Sequence, residues 1–199
     1  MRLKIKKKHI ALIVSAGLLS FMAFTFAFFT GSDYVTNRFS GENHPDEEKE
    51  VEIAITEQFE PPTEKSDAPF QKSVKIQNTG NTDCYIRVRL EFSSSEIRDI
   101  TWLSNDDDKY RDDAYINAAD YPFSILPDGW EYRALDGFYY YTQPVPPEQY
   151  TTALIKWVKT VFPDDESVDA DEYDIYVYSE AVTADDENGE RMTYENAWK

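Results

Sequence analysis

The sequence predicts an all-β protein, an antiparallel jelly roll or β-sandwich, preceded by an N-terminal signal peptide. Three observations carry this prediction. Short segments of alternating apolar and polar residues recur across residues 51–182, and clusters of Pro, Gly and Asp separate them. No convincing amphipathic helix interrupts them, so about seven or eight strands would pack as two sheets. A basic and then apolar N terminus predicts export.

The signal peptide is predicted over residues 1–27. A basic start without an acidic residue, MRLKIKKKH, precedes the uncharged run Ile10–Phe29. Signal peptidase would cut between Ala27 and Phe28, because Ala27 and Thr25 are small enough for its subsites. An uncleaved membrane anchor is the alternative, since ~20 apolar residues can span a bilayer. In both cases the remaining chain lies outside the cytoplasm.

Charge limits the partners of the exported chain. Removal of residues 1–27 leaves 15 basic against 38 acidic residues, a net charge of −23. Such a charge repels nucleic acid and anionic lipid head groups, and we expect neither as a partner; membrane contact would come only through an uncleaved signal segment. Cys84 is the only cysteine, so no intrachain disulfide can form, which favours export from a Gram-positive bacterium.

Residues 28–50 are predicted to form a polar leader, and the β-sandwich domain is predicted over residues 51–199. The first strand follows at once in VEIAITEQF, where Val51, Ile53 and Ile55 share one face. The prolines that come after it predict a loop, because proline interrupts both helices and central strands.

The clearest strand pair lies in SVKIQNTGNTDCYIRVRLEF, where NTGNTD forms the turn. Val74 and Ile76 alternate with polar residues before the turn. After it, the side chains predicted to face the core are Cys84, Ile86, Val88, Leu90 and Phe92. The opposite face, which carries Tyr85, Arg87, Arg89 and Glu91, is expected to be wet. Cys84 is therefore predicted to be a small core residue and not a reactive thiol.

The rest of the domain is predicted to contain four further strands. The segment Ser93–Asp120 is less regular. The predicted strands are Gly129–Ala134, Gly137–Thr142, Thr151–Phe162 and Tyr173–Val182. A short helix is the alternative for Thr151–Phe162, but its β-branched and aromatic residues favour a strand. A polar tail, Asp185–Lys199, is expected to follow them.

Residues suited to catalysis are scarce. The exported chain has a single histidine, His44, and neither an HExxH nor a GxSxG motif, so zinc hydrolysis and serine catalysis lack their usual groups. Pairs of carboxylates, as glycoside hydrolysis requires, are not informative here, because so acidic a chain contains many such pairs by chance. We therefore expect no enzymatic activity.

Two acidic loops could bind calcium weakly, because calcium prefers several oxygen ligands. The candidate residues are Asp106, Asp107, Asp108, Asp112, Asp113, Asp164, Asp165, Asp169 and Asp171. Neither loop has the EF-hand spacing or its central glycine, and solvated loops that keep the protein soluble are the simpler interpretation. No cofactor is expected beyond such weak calcium binding.

An aromatic segment, GWEYRALDGFYYYTQ, could provide flat rings for glycan binding. Alternation along a strand would instead send Phe138 and Tyr140 to one face and Tyr139 and Tyr141 to the other. Half of the rings would then enter the core and half would cover the sheet.

Together these motifs resemble a known family. The signal ending TFAFFTGSDYVTNRFSG resembles the export signals processed by SipW-type signal peptidases. ITEQFEPP, KSVKIQNTGNTDCYIRVRL, DGWEYRALDGFYYYTQPVPPEQYTTALI and YSEAVTADDENGERMTYENAW follow in the order typical of the TasA/camelysin family, and most closely of its BsaA-like biofilm matrix proteins. The resemblance covers nearly the whole chain, although Thr183 stands where relatives often have glutamine.

The resemblance implies a secreted jelly-roll protein that assembles into extracellular fibres of a biofilm matrix, on or outside a Gram-positive cell. It implies two partners, a SipW-type signal peptidase and further copies of the same chain. Fibres of this family form by donor-strand exchange, which would give Phe28–Phe39 the role of assembly segment. Its apolar residues are Phe28, Phe29, Tyr34, Val35 and Phe39. The alternative is a monomeric cell-surface adhesion module that binds through its aromatic sheet face. A third, metallopeptidase function lacks a metal-binding motif.

Overall fold

The computed structural model describes residues 39–40, 49–59, 67–163 and 174–199. These residues form a mostly β protein with two large antiparallel sheets and one short strand pair. The strands are β1 (Phe39–Ser40), β2 (Glu50–Val51), β3 (Ile53–Phe59), β4 (Phe70–Asn78), β5 (Cys84–Phe92), β6 (Thr101–Ser104), β7 (Ile116–Asn117), β8 (Trp130–Arg133), β9 (Phe138–Val145), β10 (Ile155–Thr160) and β11 (Ile175–Thr183). The predicted signal peptide and most of the predicted leader lie outside the described residues.

The two sheets pack around one hydrophobic core. The first has the strand order β3-β4-β10-β6-β7, the second has the order β11-β5-β9-β8, and β1 pairs with β2. The core includes Val74 and Ile76 from the first sheet and Ile86 and Val88 from the second. The all-β, two-sheet prediction is thereby confirmed.

The alternating segments behave as predicted. Ile53 and Ile76 are fully buried, and β3 pairs with β4 in register from Ile53 opposite Asn78 to Phe59 opposite Lys72. Cys84 is also fully buried, as its position in the alternation predicted. Burial, and secondarily the charge of Asp83, raises the pKa of the Cys84 thiol to about 12.

The segment after β5 contains structure that its sequence did not indicate. The helix α1 spans Ser95–Ile100, where Ser94 Oγ accepts a hydrogen bond from the N–H of Ile97 at 3.2 Å. The strand β6 follows directly and pairs with β10. The segment looked less regular than its neighbours because a six-residue helix and a four-residue strand are too short to produce a visible period.

The end of the chain also differs from its predicted role. The polar tail turns back after β11 and forms a four-residue helix, α2 (Tyr194–Ala197), which lies against β9. Tyr85 Oη donates a hydrogen bond to the carbonyl oxygen of Met192 at 2.8 Å and is itself buried. The outer face of the second sheet is therefore covered by the C-terminal segment around Tyr85, whereas Glu91 on the same face is exposed, so the prediction of a wet face was wrong only for part of the sheet.

Candidate functional site

The predicted assembly segment, Phe28–Phe39, enters the described structure at its last residue. The other predicted assembly residues and the cleavage position lie outside the described residues: Ala27, Phe28, Phe29, Tyr34 and Val35. Phe39 pairs with Val51 and Ser40 with Glu50, in antiparallel register. The end of the assembly segment therefore lies beside β2.

The turn between β4 and β5 holds β2 in place. The N–H groups of Thr79 and Gly80 donate to the carbonyl oxygen of Glu52 at 2.8 and 3.0 Å, and Asn81 N–H donates to Glu50 O at 3.0 Å. A Cβ atom on Gly80 would lie 2.2 Å from Glu50 O, so no larger residue fits without moving the backbone. The glycine of NTGNTD thus allows the close approach that fixes β2, and with it Phe39, near the edge strands β3 and β11.

Cations neutralise the first of the two acidic loops. Arg111 Nη1 lies 2.9 Å from Asp106 Oδ2, and Arg111 Nε lies 3.0 Å from Asp113 Oδ1. A backbone hydrogen bond from Asp108, aided by Arg111, lowers the pKa of Asp106. Asp106 and Asp113, two of the candidate calcium ligands, therefore have a cationic partner within the loop.

The same loop is attached to the outer side of β10. Lys156 Nζ contacts Asp107 Oδ1 at 2.7 Å, and Lys159 Nζ contacts Asp112 Oδ1 at 3.1 Å. Trp157 Nε1 donates to the carbonyl oxygen of Asp106 at 3.0 Å. In the part of the chain that the structure describes, no three His, Cys, Asp or Glu side chains are grouped so that they could hold a metal ion. The second acidic loop, with Asp164, Asp165, Asp169 and Asp171, lies outside the described residues.

The aromatic strands β8 and β9 divide their rings between two faces, as predicted. Trp130, Tyr139 and Tyr141 belong to the core, and Tyr132 packs against it. Phe138 lies on the opposite face together with Tyr140, and both of these rings are buried as well. A glycan-binding platform needs exposed ring faces, and this set offers little exposed ring area.

Arg87 is the centre of the covered outer face. Its guanidinium carbon lies 4.1 Å from the ring centre of Phe138 and 4.3 Å from that of Trp198, so the cation is stacked between two rings. Arg87 Nε donates to Glu180 Oε2 at 2.7 Å, and Nη1 donates to Tyr140 Oη at 3.0 Å. One side chain thereby joins β5, β9, β11 and the C terminus.

A second arginine repeats this arrangement beside the first. The guanidinium carbon of Arg133 lies 4.1 Å from the Tyr140 ring centre and 5.2 Å from that of Tyr194, whose hydroxyl donates to Glu131. The rings of Tyr140 and Trp198 meet edge to face at 5.8 Å. Arg87, Arg133, Phe138, Tyr140, Tyr194 and Trp198 form what we call the outer aromatic cluster. The sequence signal for it, two aromatic residues four apart in TYENAW, is weak.

A buried ion pair lies on the core-facing side of the first sheet. Lys72 Nζ contacts Glu57 Oε1, and both side chains are largely buried. Lys72 Nζ also lies 5.1 Å from the ring centre of Phe59. Inward-pointing charge next to an edge strand discourages unwanted edge pairing, which is a structural role.

His44, the histidine that follows the predicted signal peptide, lies outside the described residues. Within residues 49–59, 67–163 and 174–199 no helix is long and apolar enough to cross a bilayer. Comparisons with protein-family models, with curated proteins and with solved structures found no match.

Proposed function

We propose that this chain is a secreted structural subunit of an extracellular biofilm matrix fibre, without enzymatic activity, on or outside a Gram-positive cell. The observation that carries the proposal is an apolar segment, Phe28–Phe39, that follows an export signal and whose last residue lies beside β2, near the sheet edges. The resemblance to the TasA/camelysin family, in particular to BsaA-like proteins, supports the same function.

The finer fold assignment that goes with this function is a jelly roll. The pairing of β4 with β10 in one sheet and of β5 with β9 in the other supports it. Along the chain the β5–β9 pair lies inside the β4–β10 pair, and the chain crosses from one sheet to the other between β4 and β5 and again between β9 and β10, as in a jelly roll. Such a two-sheet body has edges at which a further strand can add.

Donor-strand exchange is the mechanism we propose for assembly. The N-terminal segment of one copy would add to the sheet of the next, with main-chain hydrogen bonds for affinity and alternate side chains in pockets. Burial of two phenylalanine side chains would contribute about 3–6 kcal/mol before ordering costs. Because a head-to-tail contact of this kind does not close on itself, it produces a filament.

The partners of this subunit are further copies of itself and a SipW-type signal peptidase. The exported chain carries a net charge of −23, so identical subunits repel each other. Assembly should therefore be favoured by salt, by low pH or by divalent cations, which screen or neutralise that charge.

Negative-stain electron microscopy of two chain lengths tests the proposal. We expect filaments from the chain that begins at Phe28 and none from the chain that begins at Glu42, compared across pH, salt and calcium. Circular dichroism of both chains checks that the shorter one is folded. Folded monomers of both in every condition would refute the structural function and favour the monomeric adhesion module.

A further inference from the structure

The described structure leaves one sheet edge with both an open backbone and exposed apolar side chains. β8 ends the order β11-β5-β9-β8, and no described strand pairs with its outer side. Gly129 O accepts a hydrogen bond from Thr142 N–H, and Arg133 O accepts one from Gly137 N–H. The backbone groups of every second residue, counted from Gly129, therefore point toward β9. The N–H and C=O of Tyr132 therefore point away from β9, toward the outside of the sheet.

Large apolar side chains lie exposed around this strand. Phe123 is 73% exposed, and its ring meets that of Tyr132 edge to face at 5.5 Å. Ile125, on the same connection from β7 to β8, and Leu135, in the turn after β8, are both 99% exposed. Three of the seven large apolar side chains that are exposed in the described residues thus lie within seven residues of β8 in the sequence, and one of them, Phe123, contacts the strand through Tyr132. A concentration of this kind marks an interaction surface.

The position of this edge fits a head-to-tail contact. The assembly segment ends at β1 and β2, which lie near β3 and β11. β3 and β11 are the edge strands of the two sheets on one side of the sandwich. β7 and β8 are the last strands of the same two sheets. A segment that leaves one side of the sandwich and binds the opposite side of the next copy produces an open chain, whereas reciprocal binding on the same side would close a dimer.

Charge is compatible with this pairing. The segment from Phe28 to Phe39 carries one acidic residue, Asp33, and one basic residue, Arg38, and β8 carries Glu131 and Arg133. The donor segment and β8 itself are therefore neutral, whereas Asp120 and Asp128 make the connection before β8 mildly acidic. A neutral donor segment feels less repulsion from this surface than the strongly acidic parts of two subunits feel from each other.

We propose that the β8 edge, with Phe123, Ile125 and Leu135, is the acceptor for residues 28–38 of a second copy, whose Phe39 stays paired with its own β2. This inference rests on the proposed fibre function and adds the surface that receives the donor strand. Tyr132 supplies two main-chain hydrogen bonds, and the exposed apolar side chains cover the phenylalanines of the donor.

Cysteine cross-linking in the exported, processed chain tests the contact directly. The variant Phe29→Cys/Ile125→Cys should form a ladder of disulfide-linked multimers under mild oxidation, whereas Phe29→Cys/Tyr110→Cys should not. Tyr110 is a matched control because it is 72% exposed and lies in the acidic loop on β10. The native Cys84 adds little background, since it is buried.

A second measurement uses substitutions that leave the core intact. Phe123→Ser/Ile125→Ser should raise the concentration needed for filament growth by about tenfold or more, and Tyr110→Ser should leave it unchanged. A synthetic peptide of residues 28–39 in excess should shorten wild-type filaments by occupying the edge.

The possible outcomes separate this inference from the proposed function. Filaments of the Phe29→Cys/Ile125→Cys variant that form without a disulfide ladder, or filaments that are unaffected by Phe123→Ser/Ile125→Ser, would overturn the β8 acceptor and leave the fibre function standing. The absence of both filaments and ladder from a folded chain would overturn both. A ladder that is equally strong with the Tyr110→Cys partner would also refute the β8 edge, because the contact would then be unspecific.

Discussion

Replacement of Arg87 by alanine should destabilise the fold far more than its position on an outer sheet face suggests. The substitution removes the hydrogen bonds to Glu180 and Tyr140 and the stacking between Phe138 and Trp198. Hydrogen bonds to charged groups contribute about 1.5–3 kcal/mol, and a partly buried cation–π contact about 0.5–2 kcal/mol. Because the site is partly solvated, we expect a loss of about 3 kcal/mol in the free energy of unfolding.

Two matched substitutions show whether the geometry or only the charge matters. Arg87→Lys keeps the positive charge but loses the planar fork and the stacking, so it should cost about half as much. Arg98 pairs with the exposed carboxylate of Asp99 at 2.8 Å, and Arg98→Ala should cost less than about 0.5 kcal/mol. A double-mutant cycle of Arg87→Ala with Trp198→Ala should give a coupling energy of about 1 kcal/mol.

Equilibrium urea denaturation, followed by tryptophan fluorescence and by circular dichroism, is the measurement. The lost stability should also appear as a drop of about 6–12 °C in the melting temperature, at ~2–4 °C per kcal/mol for a chain of this size. If Arg87→Ala costs no more than Arg98→Ala, or if Arg87 and Trp198 show no coupling, the outer aromatic cluster does not stabilise the fold.

Three further predictions concern titration and burial. Burial alone would raise the pKa of Glu180, but hydrogen bonds from Tyr178 and Arg87 outweigh it and lower the pKa below the ordinary 4.5. The stability from this shift is present above pH 4.5 and is lost as the pH falls through the folded-state pKa. Urea denaturation at a series of pH values should show this loss, and the Glu180→Gln variant should lose less stability on acidification than the wild type. Cys84, with its pKa raised to about 12, should not react with a thiol reagent in the native protein and should react fully in urea; rapid native labelling would contradict its burial. Lys72→Ala should lower the free energy of unfolding by about 3 kcal/mol, because it leaves Glu57 as a buried charge without its partner. The double variant Lys72→Met/Glu57→Leu should restore most of that stability in the same denaturation assay. Equal losses of stability in the two variants would show that the buried charge is not the cause.

Much of the fold follows from local pattern. Alternation of apolar and polar residues assigned the faces of β3, β4, β5 and β9 correctly, and it placed Cys84 in the core. This works because successive side chains of a strand point to opposite faces whatever the tertiary context. Strand ends were less accurate: β9 continues to Val145, and β10 begins only at Ile155.

The covered outer face could not be predicted in the same way. Arg87 and Trp198 are far apart in the sequence, and their contact depends on the turn of the chain after β11. Alternation shows which side chains share a face, but whether water or another segment covers that face depends on distant residues. The burial of Tyr140 could therefore not be predicted from its strand alone, because Tyr194 of the C-terminal helix packs against its ring.

The sequence by itself determined the two-sheet antiparallel class and the inward position of Cys84, because strand periodicity is a local property of the backbone. It also carries the predicted export signal and the family resemblance on which the proposed function depends. Only the tertiary structure decided which edges and faces remain available. β6 forms because it pairs with β10, and the acidic loop is held by Lys156 and Lys159. Among the described strands, β8 has no partner on the side beside Phe123. Each of these outcomes depends on contacts between segments that are distant in the chain, and a local pattern cannot encode them.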